Sequence, residues 1–178
     1  YNKYSHALTS NPLIYLVEAG LLGIFLLHII TGASVTIRNR LARQTQYSTV
    51  ASGAKATSIN TKTMAIQGVV IFGFVVFHLI TFKFGPHYEA NIDGVAMRDI
   101  FRLVYEVFQS PIHTVWYIVA LLILCFHLSH GLYSSLQTLG LQHPKYTPKI
   151  KTISVIYGIA ISVLFITQPL YMLFVYKG

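Results

Sequence analysis

Residues 111–131 read PIHTVWYIVALLILCFHLSHG, an apolar run that opens on a proline and closes on a glycine. About 20 predominantly apolar residues are enough to cross the hydrocarbon core of a bilayer as a helix. Ser110 is a good helix cap, and proline suits the first helical turn because its missing N–H costs nothing there. The stretch therefore predicts a transmembrane helix that starts at Pro111 and carries His127 in its interior.

The same arrangement occurs near the start of the chain. Pro12 precedes His28 by sixteen residues and Gly32 follows four residues later, the same two intervals that separate the proline, His127 and the final glycine of the first stretch. Asn11 before the proline is again a good cap. The repeat predicts two helices that start alike and carry a histidine at matching depth.

A glycine one turn beyond each histidine lies on the same helix face. Gly32 and Gly131 remove the side chains that would block a flat ligand from the imidazoles of His28 and His127. This pattern favours a haem held between the two helices by two axial histidines. A lone membrane histidine has a second interpretation, since it often serves only as a hydrogen-bond partner across the bundle.

Composition places this pattern in a membrane protein. Hydrophobic residues make up 54% of the 178 residues and charged residues 10%, and the mean hydropathy is +0.59. Soluble domains carry roughly 25% charged residues. The apolar runs lack the alternation of a membrane barrel, so the expected fold class is an all-α integral membrane helical bundle in a single domain, 1–178. The expected spans are 12–37, 63–84, 111–138 and 152–176.

The cysteine content limits the kind of haem. The chain has one cysteine, Cys125, inside an apolar run, and it contains no C-x-x-C-H spacing. Covalent haem attachment and iron–sulfur ligation within this chain are therefore excluded. A haem here would be held by axial ligands alone, as in b-type cytochromes.

The distribution of the +8 net charge predicts the orientation in the membrane. The segments 38–62 and 139–151 contain no acidic residue, and their basic residues are Arg38, Arg40, Arg43, Lys55, Lys62, Lys145, Lys149 and Lys151. The positive-inside rule places both segments in the cytoplasm. In segment 83–110 basic and acidic residues nearly cancel, so this segment is expected outside. The positive charge thus follows the membrane, and no nucleic-acid partner is expected.

Helix rise gives the depth of each histidine. His28 lies ten residues before Arg38, or ~15 Å from the cytoplasmic end, whereas His78 lies sixteen residues after Lys62, or ~24 Å from that edge. His78 is therefore the outer histidine. It is expected on an outward helix that ends at Gly85.

Three further segments complete the expected architecture. Residues 1–11 are a polar, aromatic lead-in on the outer side, and residues 96–108 are too charged to span, which predicts a short helix lying in the outer interface. Gly140, Pro144 and Pro148 should break the path before the last span. Pro169 should bend that span without ending it.

The remaining polar residues of the spans carry weaker hypotheses. His130, one turn below His127, could replace it as a ligand or serve as a propionate or cross-helix partner. Arg38 and Gln137, each ten residues beyond a histidine, reach the level where haem propionates would emerge, although snorkelling or capping explains them equally well. His113 could be interfacial. The other histidines are expected to be solvated in loops: His6, His87 and His143.

Glu18 is the only acidic residue within the expected spans. A carboxylate six residues into the membrane is costly unless it faces the bundle interior or sits at the interface, where it complements the helix dipole. Near the level of His78, a desolvated carboxylate could relay protons to a quinone. We therefore hypothesise an outer quinone site around Glu18, lined by His6 and Trp116.

Several motifs resemble one known family, the single-subunit di-haem cytochrome b anchors of succinate dehydrogenase and fumarate reductase. These motifs occur in order: Y-N-x-x-S-H at 1–6, L-x-H-I-I-T-G at 26–32, V-V-F-H at 75–78, and S-P at 110–111 running on to C-F-H-L-S-H-G-L-Y-S-S-L-Q-T-L-G at 125–140. The resemblance covers nearly the whole chain.

The resemblance implies five helices and two haem b groups. His28 and His127 would bind the inner haem, and His78 would bind the outer haem with a histidine from a helix upstream of Tyr1, which we expect to have been left out. Should no such helix exist, His113 is the leading substitute. Electrons from succinate would pass from a flavoprotein through an iron–sulfur subunit on the cytoplasmic face, then through both haems to a quinone, expected to be menaquinone. The resemblance also implies a multi-pass protein of the bacterial inner membrane, in the respiratory chain and the tricarboxylic acid cycle.

Two rival functions stay open at this point. The Pro-His-Gly repeat also fits the cytochrome b anchor of a hydrogenase, a formate dehydrogenase or a nitrate reductase. From a different class, a small transporter whose buried histidines relay protons would carry similar residues and no haem.

Overall fold

The structure is a computed structural model that describes residues 1–42 and 59–176. Its elements in chain order are α1 (Asn2–Thr9), α2 (Leu13–Leu41), α3 (Ile59–His78) with a π-helical continuation (Leu79–Lys83), β1 (Glu89–Ile92), β2 (Val95–Arg98), α4 (Ile100–Phe108), α5 (Pro111–Thr138) and α6 (Thr147–Phe174). Four helices in this part of the chain are long and apolar enough to cross a membrane: α2, α3 with its continuation, α5 and α6. The expected all-α, multi-pass fold class is confirmed. Most of the expected cytoplasmic loop, with Arg43 and Lys55, lies outside the described residues.

The spans follow the hydropathy pattern and differ mainly at the ends expected to face the cytoplasm. α2 continues past the expected end at residue 37 to Leu41, and α6 begins at Thr147, five residues before the expected 152. Pro148 does not break the path as expected, because it lies in the first turn of α6, where proline is tolerated. Pro169 lies inside α6 without ending it, as predicted.

The two repeated helix starts are capped differently. The Asn11 side chain accepts a hydrogen bond from the backbone N–H of Leu13 at 3.0 Å, as its capping role predicts. The Ser110 side chain makes no such bond, and its backbone carbonyl instead accepts from Thr114 at 3.1 Å. Only the first of the two predicted side-chain caps is therefore present.

The segment between α3 and α5 contains a hairpin that the sequence interpretation missed. β1 and β2 pair antiparallel around Asp93 and Gly94, whose φ angles of 55° and 81° suit a tight hairpin turn. The expected interface helix 96–108 is therefore wrong over its first four residues. The helix itself, α4, begins after Asp99, whose carboxylate accepts from the Arg102 N–H at 3.0 Å.

The lead-in is also more ordered than expected, because residues 2–9 form α1. The Asn2 side chain donates to Asp99 at 2.7 Å and accepts from the Phe101 N–H at 2.9 Å, and Lys3 forms an ion pair with Asp93. We call α1, β1, β2 and α4 together the hairpin cap. Residues 1–11 and 83–110 thus lie at the same end of the bundle, as the charge pattern predicted.

Arg98 joins the hairpin cap to the end of α3. Its guanidinium donates to four backbone carbonyls at 3.0–3.4 Å: those of Phe82, Lys83, Gly85 and Pro86. Carbonyls at the end of a helix lack intrahelical partners, and a cation there also interacts favourably with the helix dipole.

Packing within the bundle is uneven. α5 and α6 form its most extensive contact, α3 packs against α5, and α2 packs mainly against α3. None of the residues of α2 is buried. The described core lies where α3, α4, α5 and α6 meet, around Phe108, Tyr117 and Met172.

Candidate functional site

His28 and His127 face each other across the gap between α2 and α5. Their ring centroids are 6.1 Å apart and their planes are nearly perpendicular, at 88°. The repeat in the sequence therefore corresponds to a real spatial pair. Helix packing brings the two rings together although ninety-nine residues separate them in the chain.

The spacing of the two rings matches that of two imidazoles bound to one metal ion. With metal–nitrogen bonds of about 2.0–2.1 Å on opposite sides of an ion, two imidazole centres would lie about 6 Å apart. The Nδ1 atom of His127 is buried without a hydrogen-bond partner. Among the described residues neither ring takes part in a hydrogen bond, so none occupies the nitrogens that would bind a metal.

The surroundings of the pair are open on the helix faces that carry the glycines. A Cβ atom built on Gly32 or Gly131 would meet nothing within 4 Å. On the α3 side the backbone approaches more closely, because a Cβ on Gly68 would lie 3.8 Å from Cε1 of His127. Gly68 was not singled out from the sequence, since only packing shows that it faces His127.

His130 is engaged by a neighbouring helix. Its Nδ1 lies 3.4 Å from the Thr61 hydroxyl of α3, which agrees with the cross-helix role considered for it. Nearby, the Gln67 amide donates to Asn60 at 2.7 Å, and Asn60 donates to the Phe126 carbonyl at 3.0 Å. These polar residues of α3 join it to α5 directly beside the histidines.

His78 lies at the end of α3, immediately before the π-helical turn. Its ring contacts Phe74, Phe82 and Tyr117, with centroids 5.2–6.0 Å away. The Tyr117 hydroxyl lies 3.3 Å from its Nδ1. Sequence reasoning missed Tyr117, although a tyrosine inside an apolar helix signals a hydroxyl in need of a partner.

His113 packs toward the bundle and not into the interface alone. Its ring stacks on Phe77 with centroids 5.8 Å apart, and its Nδ1 is buried without a hydrogen-bond partner. Phe77 directly precedes His78 in the chain. Within the described ranges, however, no ring contact or hydrogen bond joins His113 to His78.

Glu18 forms an ion pair that the sequence analysis did not predict. Its Oε1 lies 2.6 Å from Nζ of Lys83, and the two side chains are 42% and 43% exposed. The pair connects α2 to the π-helical end of α3. The sequence interpretation assigned Lys83 only to the outer charge balance, because the pairing depends on how the two helices pack.

The other two residues of the hypothesised quinone site lie apart from this ion pair. His6 belongs to α1 and, with His87 and Arg98 among others, lines a cavity of about 420 Å³ in the hairpin cap. Trp116 is 37% exposed on α5. No hydrogen bond, ion pair or ring contact among residues 1–42 and 59–176 joins Glu18, His6 and Trp116.

The side chains expected near haem propionates make few contacts. Arg38 lies in the last turn of α2, where a cation complements the helix dipole. Arg38 and Gln137 are both exposed. Their placement keeps both the propionate role and the capping or snorkelling role open.

In the described part of the chain, no group of three or more His, Cys, Asp or Glu side chains is placed to hold a metal ion. Comparisons of the chain with protein-family models, with curated proteins and with solved structures found no match.

Proposed function

We propose that this chain binds a b-type haem between α2 and α5, with His28 and His127 as its axial ligands. The observation that carries the proposal is the 6.1 Å separation of the two ring centroids. The open helix faces at Gly32 and Gly131 support it. A second haem would use His78 as one of its ligands.

The chain's own residues hold and shield such a group. His28 and His127 would supply the axial nitrogens, apolar side chains of the helices would keep water away, and Arg38 and Gln137 would be the candidates to meet the propionates. The haem itself supplies one-electron transfer when it is bound.

On this basis we propose that the protein is the membrane anchor and electron-transfer subunit of a succinate:quinone oxidoreductase. The family resemblance of the motifs supports this assignment. Its partners would be a flavoprotein and an iron–sulfur subunit on the cytoplasmic face of a bacterial inner membrane, and its electron acceptor menaquinone. The quinone would react at the outer end near the Glu18–Lys83 pair.

The haem assignment is tested by spectra of the purified protein and its variants. The wild type should show reduced α and Soret bands and bind two haems. His28→Ala and His127→Ala should each lose one haem, whereas His143→Ala, a loop control, should keep both. Retention of two haems with unchanged spectra in either membrane variant would contradict the ligand assignment, and a wild type without haem bands would favour the proton-relaying transporter.

The assignment to a succinate enzyme needs a separate experiment. The tagged chain, solubilised gently from its native membrane, should co-purify with a covalent or tightly bound flavin and with succinate-dependent dye reduction. Co-purification with hydrogenase, formate dehydrogenase or nitrate reductase activity would instead identify one of the rival anchors.

A further inference from the structure

Tyr117 is a buried aromatic residue that the proposed electron path does not use. Tyr117 is 4% exposed and lies in the second turn of α5. The rings of Phe74 and Phe108 approach it edge to face, each with its centroid 5.0 Å away. These contacts fix the position of the tyrosine ring, and with it the place of the hydroxyl.

The hydroxyl meets one side-chain nitrogen, Nδ1 of His78, at 3.3 Å. A neutral imidazole carries its proton on one nitrogen and a lone pair on the other. A histidine can bind a metal only through the nitrogen that has the lone pair. If Nδ1–H donates to the tyrosine oxygen, the lone pair is on Nε2.

We propose that Tyr117 is the positioning residue of His78. Its hydroxyl accepts a hydrogen bond from Nδ1–H, which sets both the tautomer and the rotation of the ring for iron binding through Nε2. This inference rests on the proposed haem-binding function. It adds a residue that positions a ligand, which the pattern of histidines in the sequence does not identify.

The surrounding rings cannot perform this role by themselves. Phe74 and Phe82 pack against His78 with centroids 5.9 and 5.2 Å away, and apolar contacts limit where the ring lies. They do not distinguish its two nitrogens. A partner that hydrogen-bonds the non-ligating nitrogen also raises the basicity of the ligating one, which stabilises the oxidised metal.

The inference predicts a change in one reduction potential. In Tyr117→Phe the ring packing is kept and the hydrogen-bond acceptor is lost. The midpoint potential of the haem bound by His78 should therefore rise, while the midpoint potential of the other haem should not change. The measurement is a redox titration followed by visible spectra, with electron paramagnetic resonance of the ferric haems to report ligand orientation. Tyr157→Phe is the matched control, because Tyr157 is 43% exposed on α6.

The outcomes separate this inference from the function on which it rests. A wild-type protein without haem would overturn the proposed function, whereas two haems with both potentials unchanged in Tyr117→Phe would overturn only the role of Tyr117. Should Tyr117→Phe fail to retain a haem, 3-fluorotyrosine at position 117 decides the question. It keeps the hydroxyl but is a weaker acceptor, so the same potential should rise by less, and an unchanged potential would contradict the inference.

Discussion

At the scale of single residues, the Glu18–Lys83 ion pair could stabilise the fold, and its carboxylate could supply protons to a quinone. Both side chains are more than a third exposed, at 42% and 43%, so the ion pair stabilises the fold by only about 0–1 kcal/mol. It nonetheless links α2, which has no buried residue, to the end of α3. The same carboxylate lies where a quinone at the outer end would need protons.

Glu18→Gln should lower quinone-linked turnover on the order of 10²-fold, because general acid–base groups contribute at least that much. Both haem spectra and dye-linked succinate oxidation should remain. Lys83→Met is the matched control, since it breaks the ion pair and keeps the carboxylate, and it should turn over quinone normally. Equal losses in both variants would indicate that the pair matters only for packing, and normal turnover by Glu18→Gln would refute the outer quinone site.

Glu106 predicts a pH dependence in the hairpin cap. Its carboxylate accepts from Tyr88 at 2.6 Å and from Arg102 at 2.8 Å, and these bonds hold the pKa of Glu106 below its usual value of 4.5. A lowered folded-state pKa means that the stabilisation is complete above the unfolded pKa and is lost as the pH falls through the folded one. Thermal midpoints measured between pH 7 and pH 3 should therefore fall more for the wild type than for Glu106→Gln.

The control for this titration is Glu89→Gln, which removes another exposed carboxylate of the same cap. Its thermal midpoint should follow the wild-type pH dependence. If Glu106→Gln shows the wild-type slope as well, the hydrogen bonds of Glu106 do not contribute to the acid sensitivity of the cap.

At the scale of elements, small residues decide the contact between α5 and α6. Ser154, Gly158 and Ser162 recur every four residues on α6 and are all buried. Ser129 of α5 packs against Gly158, and small side chains at this spacing let two membrane helices approach closely. This contact holds α5, and thus His127, against the rest of the bundle.

Gly158→Ala should destabilise this helix pair by about 1–3 kcal/mol, the usual cost of overpacking. A Cβ at this position would collide with the Ser129 hydroxyl and lie 2.6 Å from the Cys125 carbonyl, so backbone must move. The thermal midpoint in detergent should fall. Gly73→Ala on α3 is the control, because a Cβ there meets nothing within 4 Å and should leave the midpoint close to the wild-type value.

The sequence analysis missed α1 and the β1–β2 hairpin because these short elements leave only weak patterns in the sequence. Asp93-Gly94 is a strong hairpin turn, but strands of four residues each carry little alternation to mark them. α1 has eight residues, which is too short to be stable alone. It depends on Asn2 and Lys3 docking onto residues some ninety positions away.

On the scale of the whole molecule, the sequence predicts positions along each helix well and lateral neighbours poorly. Apolar length placed all four spans, and the repeated interval identified His28 and His127, because both signals are periodic along one helix. The Tyr117 contact and the Lys83 ion pair depend on the rotation of one helix against another. Neither hydropathy nor spacing encodes that rotation.

The charges predict the orientation of the molecule in the membrane, and cysteine labelling tests it directly. Every acidic residue except Glu18 lies within residues 89–106, at the hairpin-cap end, whereas residues 139–151 carry only basic charge. The positive-inside rule therefore places the cap outside. In a Cys125→Ser background, a cysteine replacing the exposed Asn91 should react with a membrane-impermeant maleimide in intact cells. One replacing the exposed Gln142 should react only after permeabilisation. The reverse labelling pattern would contradict this orientation. It would place the Glu18–Lys83 pair and the proposed quinone site on the cytoplasmic side.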